Sequence, residues 1–450
     1  MKDRIHQLVS SDIVKDRKVV LYWLQSTQRT AFNYGLSHAI HVANRLGLPL
    51  RVLFVLNPAY PDANQRHYQF MLEGFEELRE DILRLNAEFV VAFGDVLTCV
   101  KDYLMDAAYG VMDFGYLSHH KVWREALSGF AKEAGISLDA VESDVIVPLE
   151  KGDPKCTYSA RTLRPKLLRV VEDYLGAPKL ESVIEKPLNV SSSVRFDALM
   201  KRLNGDDSVT LVSQYFVGGR KEALRRLDTF INHALKDYLK SQDPSTLLTS
   251  HLSPYLHFGM VAPHEIYLAV ASYIDTYPEA VESYLEQLLV RRELAFNFVY
   301  YCKGYDQFET MTYDWAYDTM LNHRDDPREY IYSIEELSSF QTHDVYFNAA
   351  MKEMVKTGYM HNYMRMYWGK KIIEWSKDYK TAYETIIYLN NKYFLDGRDP
   401  NSYASVAWLF GRHDRAWQER EIFGKLRYMN ENGLKRKFEI DKYVAYVNAI

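Results

Sequence analysis

The sequence predicts an α/β N-terminal domain, with a doubly wound, Rossmann-like parallel sheet of five strands, and a larger all-α C-terminal domain. In the first third, short apolar runs alternate with segments of helical periodicity. This alternation is typical of parallel sheets covered by helices on both faces. From about residue 209 onward, apolar residues recur at helical spacing alone. The 450 residues also suffice for two or three domains.

The N-terminal domain is predicted to span residues 1–148. Helices are expected at residues 31–46 and 70–85. No GxGxxG motif follows the first strand, so a conventional dinucleotide site is not expected. The predicted strands are residues 18–24, 50–56, 89–93, 111–114 and 136–141.

Residues 149–208 are predicted to form an interdomain linker, turn-rich except for a helix at residues 164–175. Residues 209–450 are predicted to form the helical domain. Its predicted helices are residues 220–239, 262–274, 280–301, 348–357, 363–375 and 381–391.

The amino-acid composition limits the classes of protein to which this chain can belong. The chain is 47% apolar and 26% charged, which is globular composition, and its net charge of −5 means that nucleic-acid binding would need a local basic face. Three widely separated cysteines predict neither a disulfide framework nor a metal site. We therefore expect an intracellular protein, in cytoplasm or nucleus. We also expect a monomer. The polar N-terminus and the lack of long apolar runs predict no signal peptide and no membrane partner.

The segment TSHLSPYLHFG, residues 249–259, is the first candidate site. Thr and Ser hydroxyls beside backbone N–H groups at a helix start can hold a pyrophosphate. The alternative is an ordinary helix N-cap, with Ser253 ahead of Pro254.

The segment MHNYMRMYW, residues 360–368, is the second candidate. Trp375 follows Trp368 by seven residues, which is two helical turns, so both lie on one helix face. A buried Arg365 would need a carboxylate partner. The alternative is a core helix with an aromatic stripe.

A third region runs from DGRDPN at residues 396–401 through Trp408 to HDRAW at residues 413–417. Loops dense in charged and aromatic residues are often functional. The tail, residues 424–438, is basic with interleaved aromatics, which suits phosphate contacts. The alternative is a solvated C-terminal face.

Together, SPYLHFG, MHNYMRMYW and DGRDPNSYASVAW resemble the flavin domain of the photolyase/cryptochrome superfamily. YWLQSTQR at residues 22–29, LRPK at 163–166, RREL at 291–294 and the ending GKLRYMN resemble class II cyclobutane pyrimidine dimer photolyases. The resemblance covers almost the whole chain. The motifs are highly specific when they occur together, although no single one of them is.

The resemblance implies a bent FAD, active as FADH⁻, in the helical domain. Arg365 and Asp396 match the ion pair beside the flavin ring, and Asn390 matches the amide that faces flavin N5. A second, antenna chromophore is implied for many relatives, with deazaflavin and folate both open, and no metal is expected. The residues implied to bind FAD are Tyr238, Thr249, Ser250, His251, Leu252, Ser253, Asn362, Arg365, Asn390, Asp396 and Asp399.

The implied activity is light-driven repair of damaged DNA, in which excited FADH⁻ passes an electron to a flipped-out dimer. Met366 and Trp408 match residues that contact the dimer, and Gln287, Asn390, Met366 and Trp408 form the implied catalytic set. The implied DNA contacts are Trp408, Asp414, Arg415, Trp417 and Arg427.

Three positions depart from the family pattern. Gln287 replaces a Glu that is hydrogen-bonded to the dimer, which predicts slower splitting. Ser241 replaces an Arg, whose phosphate contact Lys240 could supply. Phe347 replaces the middle tryptophan of the relay that reduces the flavin. The remaining candidates for electron transfer are Trp368, Trp375, Tyr367, Tyr346 and Tyr332.

These departures keep a second hypothesis open, a cryptochrome-like light sensor with weak or no repair. A third hypothesis, a helical nucleic-acid-binding protein without a cofactor, explains none of the flavin-site residues.

Overall fold

The computed structural model describes residues 1–12, 16–189, 196–203 and 208–450. Among them, six strands form one sheet in the order β1-β6-β5-β2-β3-β4, in which β1 runs antiparallel to β6 and the other neighbours are parallel. The predicted fold class is confirmed. The strands are β1 (Ile5–Val9), β2 (Val19–Trp23), β3 (Leu50–Leu56), β4 (Glu88–Phe93), β5 (Ala107–Asp113) and β6 (Ser137–Val141).

The predicted number of five strands is wrong, because β1 was not expected. Strands β2, β3, β5 and β6 are buried along their whole length and consist mainly of apolar residues. Strand β1 lies at the sheet edge, and only Val9 of its five residues is buried. It therefore lacks the apolar run that marks the other strands.

Helices cover the sheet, and one predicted helix is in fact two. The break comes at Gly74, where a Cβ atom would lie 2.9 Å from the Cα of Gly219. This close approach of two backbones requires glycine. The helices of this part are α1 (Tyr34–Leu46), α2 (Gln65–Glu73), α3 (Phe75–Arg84), α4 (Val96–Met105) and α5 (Ser118–Glu133).

The predicted linker contains α6 (Leu149–Gly152), α7 (Ala160–Val170) and α8 (Phe196–Arg202). The helix predicted at residues 164–175 is α7 followed by a 3₁₀ turn, Val171–Tyr174. Residues 190–195 and 204–207 of the linker lie outside the described residues. The three-part division of the chain stays a prediction.

Every described element after residue 209 is helical, apart from one isolated bridge at Arg420 and Gly424. The helix predicted at residues 280–301 is interrupted by a π-helical segment, Glu286–Arg291, and the one predicted at 220–239 ends in a 3₁₀ helix, Leu235–Lys240. The helices are α9 (Arg220–His233), α10 (Ser253–His257), α11 (Pro263–Ala271), α12 (Pro278–Leu285), α13 (Arg292–Tyr301), α14 (Asp314–Asn322), α15 (Ile334–Ser338), α16 (Val345–Thr357), α17 (Asn362–Trp375), α18 (Tyr379–Tyr393), α19 (Pro400–Leu409), α20 (Glu431–Lys437) and α21 (Ile440–Asn448).

Buried polar side chains join the α/β part to the helical part. The guanidinium of Arg29 donates to the carbonyls of Gly259 and Ser143, at 2.9 and 2.7 Å. The carboxyl of Glu293 accepts from the backbone N–H groups of Ile146 and Val147, at 2.5 and 3.2 Å. Because such groups are costly to bury unpaired, these contacts fix how the two parts meet.

The cysteine prediction is wrong in one respect. Cys156 and Cys302 form a disulfide, although 146 residues separate them. Spacing along the chain could not reveal this pair, because the linker carries Cys156 to the end of α13. Cys99 is free. Over the described ranges, no helix is long and apolar enough to cross a membrane, and no cluster of metal-binding side chains occurs.

Candidate active site

An ion pair between α17 and the loop after α18 forms the centre of the predicted site. Arg365 donates two parallel hydrogen bonds to the carboxylate of Asp396, both 3.0 Å long. The carboxylate is nearly buried and the guanidinium is about one quarter exposed. The guanidinium also lies 3.9 Å from the ring centre of Phe394. The sequence prediction that Arg365 needs a carboxylate is thus confirmed.

The segment 249–253 lies next to this ion pair. The hydroxyl of Tyr359 donates to Thr249 Oγ1 at 3.1 Å, and the guanidinium of Arg365 lies 5.7 Å from the Tyr359 ring. His251 packs edge-on against the same ring, at 4.6 Å. A positive φ of 53° at His251 turns the backbone here. The structure therefore brings the first and second candidate sites together around Tyr359.

Several polar atoms of this segment have hydrogen-bonding capacity to spare. His251 Nδ1 is buried without a partner, and burial lowers the pKa of this imidazole to about 4. The N-cap residue of α10 is Leu252, which makes no capping hydrogen bond. The N-cap alternative, which placed Ser253 in that role, is therefore wrong. Thr249, Ser250 and Ser253 are half-buried at one site, as phosphate-binding hydroxyls would be.

Tyr238 and Ser250 are both in contact with Tyr284. Tyr284 donates to Ser250 Oγ at 3.2 Å, and its ring lies 5.1 Å from that of Tyr238. Asn362, the first residue of α17, is exposed. Lys240 pairs with Asp237 at 2.8 Å rather than reaching this site, so the structure does not show it taking over a contact at Ser241.

Asn390 and Asp399 lie on either side of the ion-pair loop. Asn390 is buried on α18, and its amide donates to Asn391 Oδ1 at 2.9 Å. Gly397 packs so closely on α18 that a Cβ atom would lie 2.8 Å from the Asn390 carbonyl oxygen. Asp399 caps α19 through the N–H of Asn401, and a 3.2 Å contact joins it to His257. The structure shows no contact between Asp399 and Arg365, and the role of Asp399 in cofactor binding stays a prediction.

The predicted DNA contacts form a second cluster at the end of α19. The guanidinium of Arg427 lies between two tryptophan rings, 5.0 Å from Trp408 and 4.2 Å from Trp417. It is paired with Asp414 at 3.0 Å, and Arg415 lies 4.8 Å from Trp417. Positive charge and flat aromatic faces are therefore combined at one surface, as nucleic-acid binding requires.

Lys370 links this aromatic cluster to the ion pair, and sequence reasoning missed it. It follows Met366 by one turn of α17, and its ammonium lies 5.9 Å from the Trp408 ring. It donates to the Leu409 carbonyl at 2.6 Å. Burial lowers the pKa of Lys370 to about 7, against the attraction of Asp414. A lysine flanked by Gly369 and Lys371 gives no sequence signal for burial.

The predicted electron-transfer residues lie on α16 and α17, except Tyr332, which precedes α15. Trp368 and Trp375 are both buried, and Phe347 lies 5.1 Å from Trp375. Of the tyrosine candidates, Tyr332 is the one in ring contact with Trp375, at 5.4 Å. Tyr367 and Tyr346 instead donate hydrogen bonds to carboxylates, Asp344 for Tyr367 and Asp441 for Tyr346. The structure thus favours Tyr332, although electron transfer itself stays a prediction.

Gln287 is exposed and lies within the π-helical segment. Its neighbour Glu286 forms a bidentate pair with Arg164 of α7, with distances of 2.9 and 2.7 Å. The π-helical turn shifts the register of this helix and leaves Gln287 free of that pair, facing solvent.

A cavity lies at the carboxyl ends of the parallel strands, and the sequence did not reveal it. It opens beside the boundary between β2 and β5, where the strand order reverses and where ligands bind in doubly wound sheets. Asp113, at the end of β5, accepts from the N–H groups of residues 25, 26 and 27, at 2.9 to 3.0 Å. This carboxylate shapes the loop that forms one wall.

Unpaired polar atoms and aromatic rings line this sheet-edge cavity. Both amide atoms of Gln25, Gln28 Oε1 and His120 Nδ1 are buried without partners. Tyr60 contacts the Nε2 atoms of His119 and His120, at 3.0 and 3.1 Å. Burial lowers the pKa of His119 to about 4, so this imidazole is neutral at pH 7.

Similarity to known proteins shows which family this chain belongs to. The deoxyribodipyrimidine photo-lyase of Methanothermobacter thermautotrophicus is 42% identical over 450 residues, covering 100% of this chain and 98% of the relative. The family model described as DNA photolyase matches residues 20–186. This chain belongs to the DNA photolyase family.

Solved photolyase structures share the fold. A bacterial class III photolyase from Agrobacterium tumefaciens superposes with a TM-score of 0.77 at 18% identity, covering 96% of this chain and 87% of that one. An archaeal photolyase from Sulfolobus tokodaii, solved with two FAD molecules, gives a TM-score of 0.74 at 18% identity, covering 95% and 89%. The photolyase fold therefore extends over both parts of the chain.

Proposed function

We propose that this protein repairs cyclobutane pyrimidine dimers in DNA in a light-driven reaction, with FAD as its cofactor. Full-length similarity to a deoxyribodipyrimidine photo-lyase supports the activity. The observation that carries the proposal is the arrangement on α17, because Arg365 holds the ion pair with Asp396 while Lys370, 1.4 turns later, contacts Trp408. A cofactor site and a lesion-binding surface thus share one helix.

The residues present fit FAD. The hydroxyls of Thr249, Ser250 and Ser253 suit the phosphates, and the unpartnered His251 Nδ1 offers a further polar contact. The guanidinium of Arg365 places a fixed cation where it favours an anionic ring. Asp396 holds that cation in one orientation through two hydrogen bonds. Asn390, buried nearby, supplies a neutral amide.

When bound and reduced, FAD supplies one-electron donation under light, and the protein supplies position and electrostatics. Trp408 offers a flat face to a flipped-out base pair, whose stacking is worth about 1–3 kcal/mol per base. Trp417 and Arg415 fill the gap in the duplex, and Arg427 approaches the phosphate backbone. Flipping costs least at a damaged pair, which gives selectivity for lesions.

We assign the protein to class II within the family on its own motifs, YWLQSTQR, LRPK and RREL. Gln287 stands where that class has a Glu, so we expect slow splitting. Gln can donate a hydrogen bond to a thymine carbonyl but cannot give up a proton. Gln287→Glu should therefore raise the quantum yield of repair several-fold, and an unchanged yield in blue light would contradict this role.

We propose that the sheet-edge cavity holds a second, antenna chromophore, a deazaflavin or a folate. Its aromatic and apolar lining suits a planar ligand, and its unpaired amide and imidazole atoms can hydrogen-bond to one. Mass spectrometry of the chromophores released by unfolding would identify it. Recovery of FAD alone at one equivalent would remove this proposal.

The decisive experiment irradiates the reduced protein with blue light in the presence of a dimer-containing oligonucleotide. We expect thymine absorbance at 260 nm to recover, and recovery to require both light and flavin. Retained flavin absorption without recovery would favour the light-sensor alternative. Absence of any flavin band that unfolding releases would refute the cofactor assignment. We further propose a monomer that works inside the cell, in whichever compartment holds its DNA.

A further inference from the structure

Arg412 contacts the disulfide between Cys156 and Cys302, outside the proposed active site. Its Nη2 atom lies 2.6 Å from Cys156 Sγ and 3.0 Å from Cys302 Sγ. Arg412 is only 6% exposed, whereas both cysteines are half-buried. A buried cation therefore lies against a disulfide whose two residues are partly exposed.

Among the described residues, this cation has no anionic partner. Within the part of the chain that the structure describes, Arg412 makes no ion pair, and its Nε atom has no hydrogen-bond partner. The rings of Phe298 and Tyr313 pack on it, at 4.9 and 4.4 Å. The titratable groups facing it are the phenols of Tyr158, Tyr313 and Tyr317, and the imidazole of His413. A buried charge left unpaired costs several kcal/mol, so the site is electrostatically incomplete.

Reduction of the disulfide would supply the missing anion. A thiol at Cys156 would lie within hydrogen-bond distance of the guanidinium, and a neighbouring arginine lowers a thiol pKa from its usual value of about 8.5. The thiolate would then pair with Arg412. Because this pairing stabilises the reduced form alone, the disulfide would be easily reduced.

Arg412 also directly precedes the loop of residues 413–417. His413 Nδ1 lies 2.8 Å from the carbonyl oxygen of Tyr158, two residues after Cys156. The loop is therefore connected to the Cys156 segment at two points, one of which is the contact between Arg412 and sulfur.

We propose that Cys156 and Cys302 form a reversible thiol–disulfide exchange site for small disulfides, in which Arg412 stabilises the Cys156 thiolate and transmits the oxidation state to the loop 413–417. The Cys156 thiolate attacks one sulfur of a disulfide RSSR and releases one thiol, leaving a mixed disulfide. The Cys302 thiolate then attacks Cys156 Sγ and releases the second thiol. Two electrons pass from the cysteines to RSSR, and the two cysteine protons leave on two RSH.

The first test measures the pH profile of alkylation by iodoacetamide in the full-length Cys302→Ser protein, with peptide mass spectrometry. Cys99 in the same molecule is the control, since burial raises its pKa. We expect a midpoint below pH 7 for Cys156 and above pH 8.5 for Cys99. Arg412→Gln should raise the Cys156 midpoint by at least one unit, a tenfold change in the ionisation equilibrium.

Two further variants make this test specific. Arg412→Lys keeps the charge and should keep the low midpoint, and Arg415→Gln removes a nearby exposed charge and should leave it unchanged. A Cys156 midpoint at or above that of Cys99 would overturn the proposal. The comparison of Cys156 with Cys99 is made in a protein that retains Arg412. It therefore tests the proposal even if the Arg412→Gln variant fails to fold.

The second test compares the wild-type protein after equilibration with oxidised or reduced glutathione. We expect oxidation to remove 2 Da, and reduction to slow amide hydrogen exchange in residues 412–417 at least threefold at pH 7. Cys156→Ser should show neither change. Equal exchange in the two wild-type forms would overturn the transmission to the loop. Neither test needs flavin or DNA, so either result is independent of the proposed repair function.

Discussion

The site around Arg365 and Asp396, here called the helical site, differs from the sheet-edge cavity in how its buried polar groups are paired. In the helical site, Arg365 and Asp396 satisfy each other through two hydrogen bonds. In the cavity, the amide of Gln25 and the imidazole of His120 keep buried atoms without partners. The ion pair is therefore complete before a ligand binds, and the spare capacity beside it belongs to neutral groups such as His251 Nδ1, whereas the cavity leaves an amide and an imidazole for a ligand to use.

The difference means that substitutions should act unequally in the two regions. Breaking a buried charge pair leaves an uncompensated charge, whatever else is bound. Removing one neutral hydroxyl from a cavity costs only about one hydrogen bond.

The largest effect is expected for Arg365→Met. This change leaves the buried Asp396 carboxylate unpaired, so we expect a loss of about 3 kcal/mol in the free energy of unfolding and loss of most bound flavin. Chemical denaturation and the flavin absorbance per protein molecule measure the two effects. The control is Arg225→Ala, which breaks a largely exposed pair with Glu222 and should cost less than about 1 kcal/mol. An equal loss of stability in the two variants would show that the Arg365–Asp396 pair contributes no more than a largely exposed pair does.

The second largest effect is expected for Trp408→Ala. It removes a stacking surface worth about 1–3 kcal/mol, so affinity for a dimer-containing duplex should fall about 10- to 100-fold. Flavin content and the cavity chromophore should not change, because Trp408 lies at the DNA-facing end of the helical site. Fluorescence anisotropy with labelled duplex measures the affinity, and Tyr388→Ala, at an exposed aromatic residue on α18, is the control. Loss of flavin in Trp408→Ala would mean that the two sites are not separable.

The same contrast explains what the sequence could predict. The segments 249–253 and 360–368 are contiguous and lie where α10 and α17 begin, so their motifs could be read directly, together with the need of Arg365 for a carboxylate. The cavity is lined by residues from β2 and β3, from α2, α5 and α13, and from three separate motifs, so no single short motif contains the whole lining. The disulfide and Lys370 were missed for the same reason, since their partners lie at least 39 residues away.

Two buried carboxyl groups, one beside each region, allow both regions to be tested through the pH dependence of the free energy of unfolding. Burial raises the pKa of Glu353, behind the helical site, and of Glu293, behind the cavity, to about 7. The folded protein thus holds an extra proton at each position between pH 4.5 and 7, so stability is full at low pH and falls as pH rises through this range. Glu353→Gln and Glu293→Gln should each reduce that fall by about 1–3 kcal/mol.

Urea denaturation at pH 5 and pH 7.5 measures this effect, with the exposed Glu384→Gln as the control. Glu353 accepts from Tyr443 Oη at 2.6 Å and from the N–H of His361 at 3.2 Å, whereas Glu293 accepts from two backbone N–H groups. A variant with the same pH dependence as the wild type would show that the carboxyl it replaced is already ionised at pH 5.

The smallest effect is expected for Tyr60→Phe in the sheet-edge cavity. The change removes a hydroxyl that lies between His119 and His120 but keeps the ring that packs against Trp123. One neutral hydrogen bond is worth about 1 kcal/mol, so retention of the cavity chromophore should fall about fivefold while flavin at Arg365 stays bound. The ratio of the two chromophores released by unfolding measures the change. If flavin is lost along with the second chromophore, the two regions are coupled, and the independence argued from their separate polar networks is wrong.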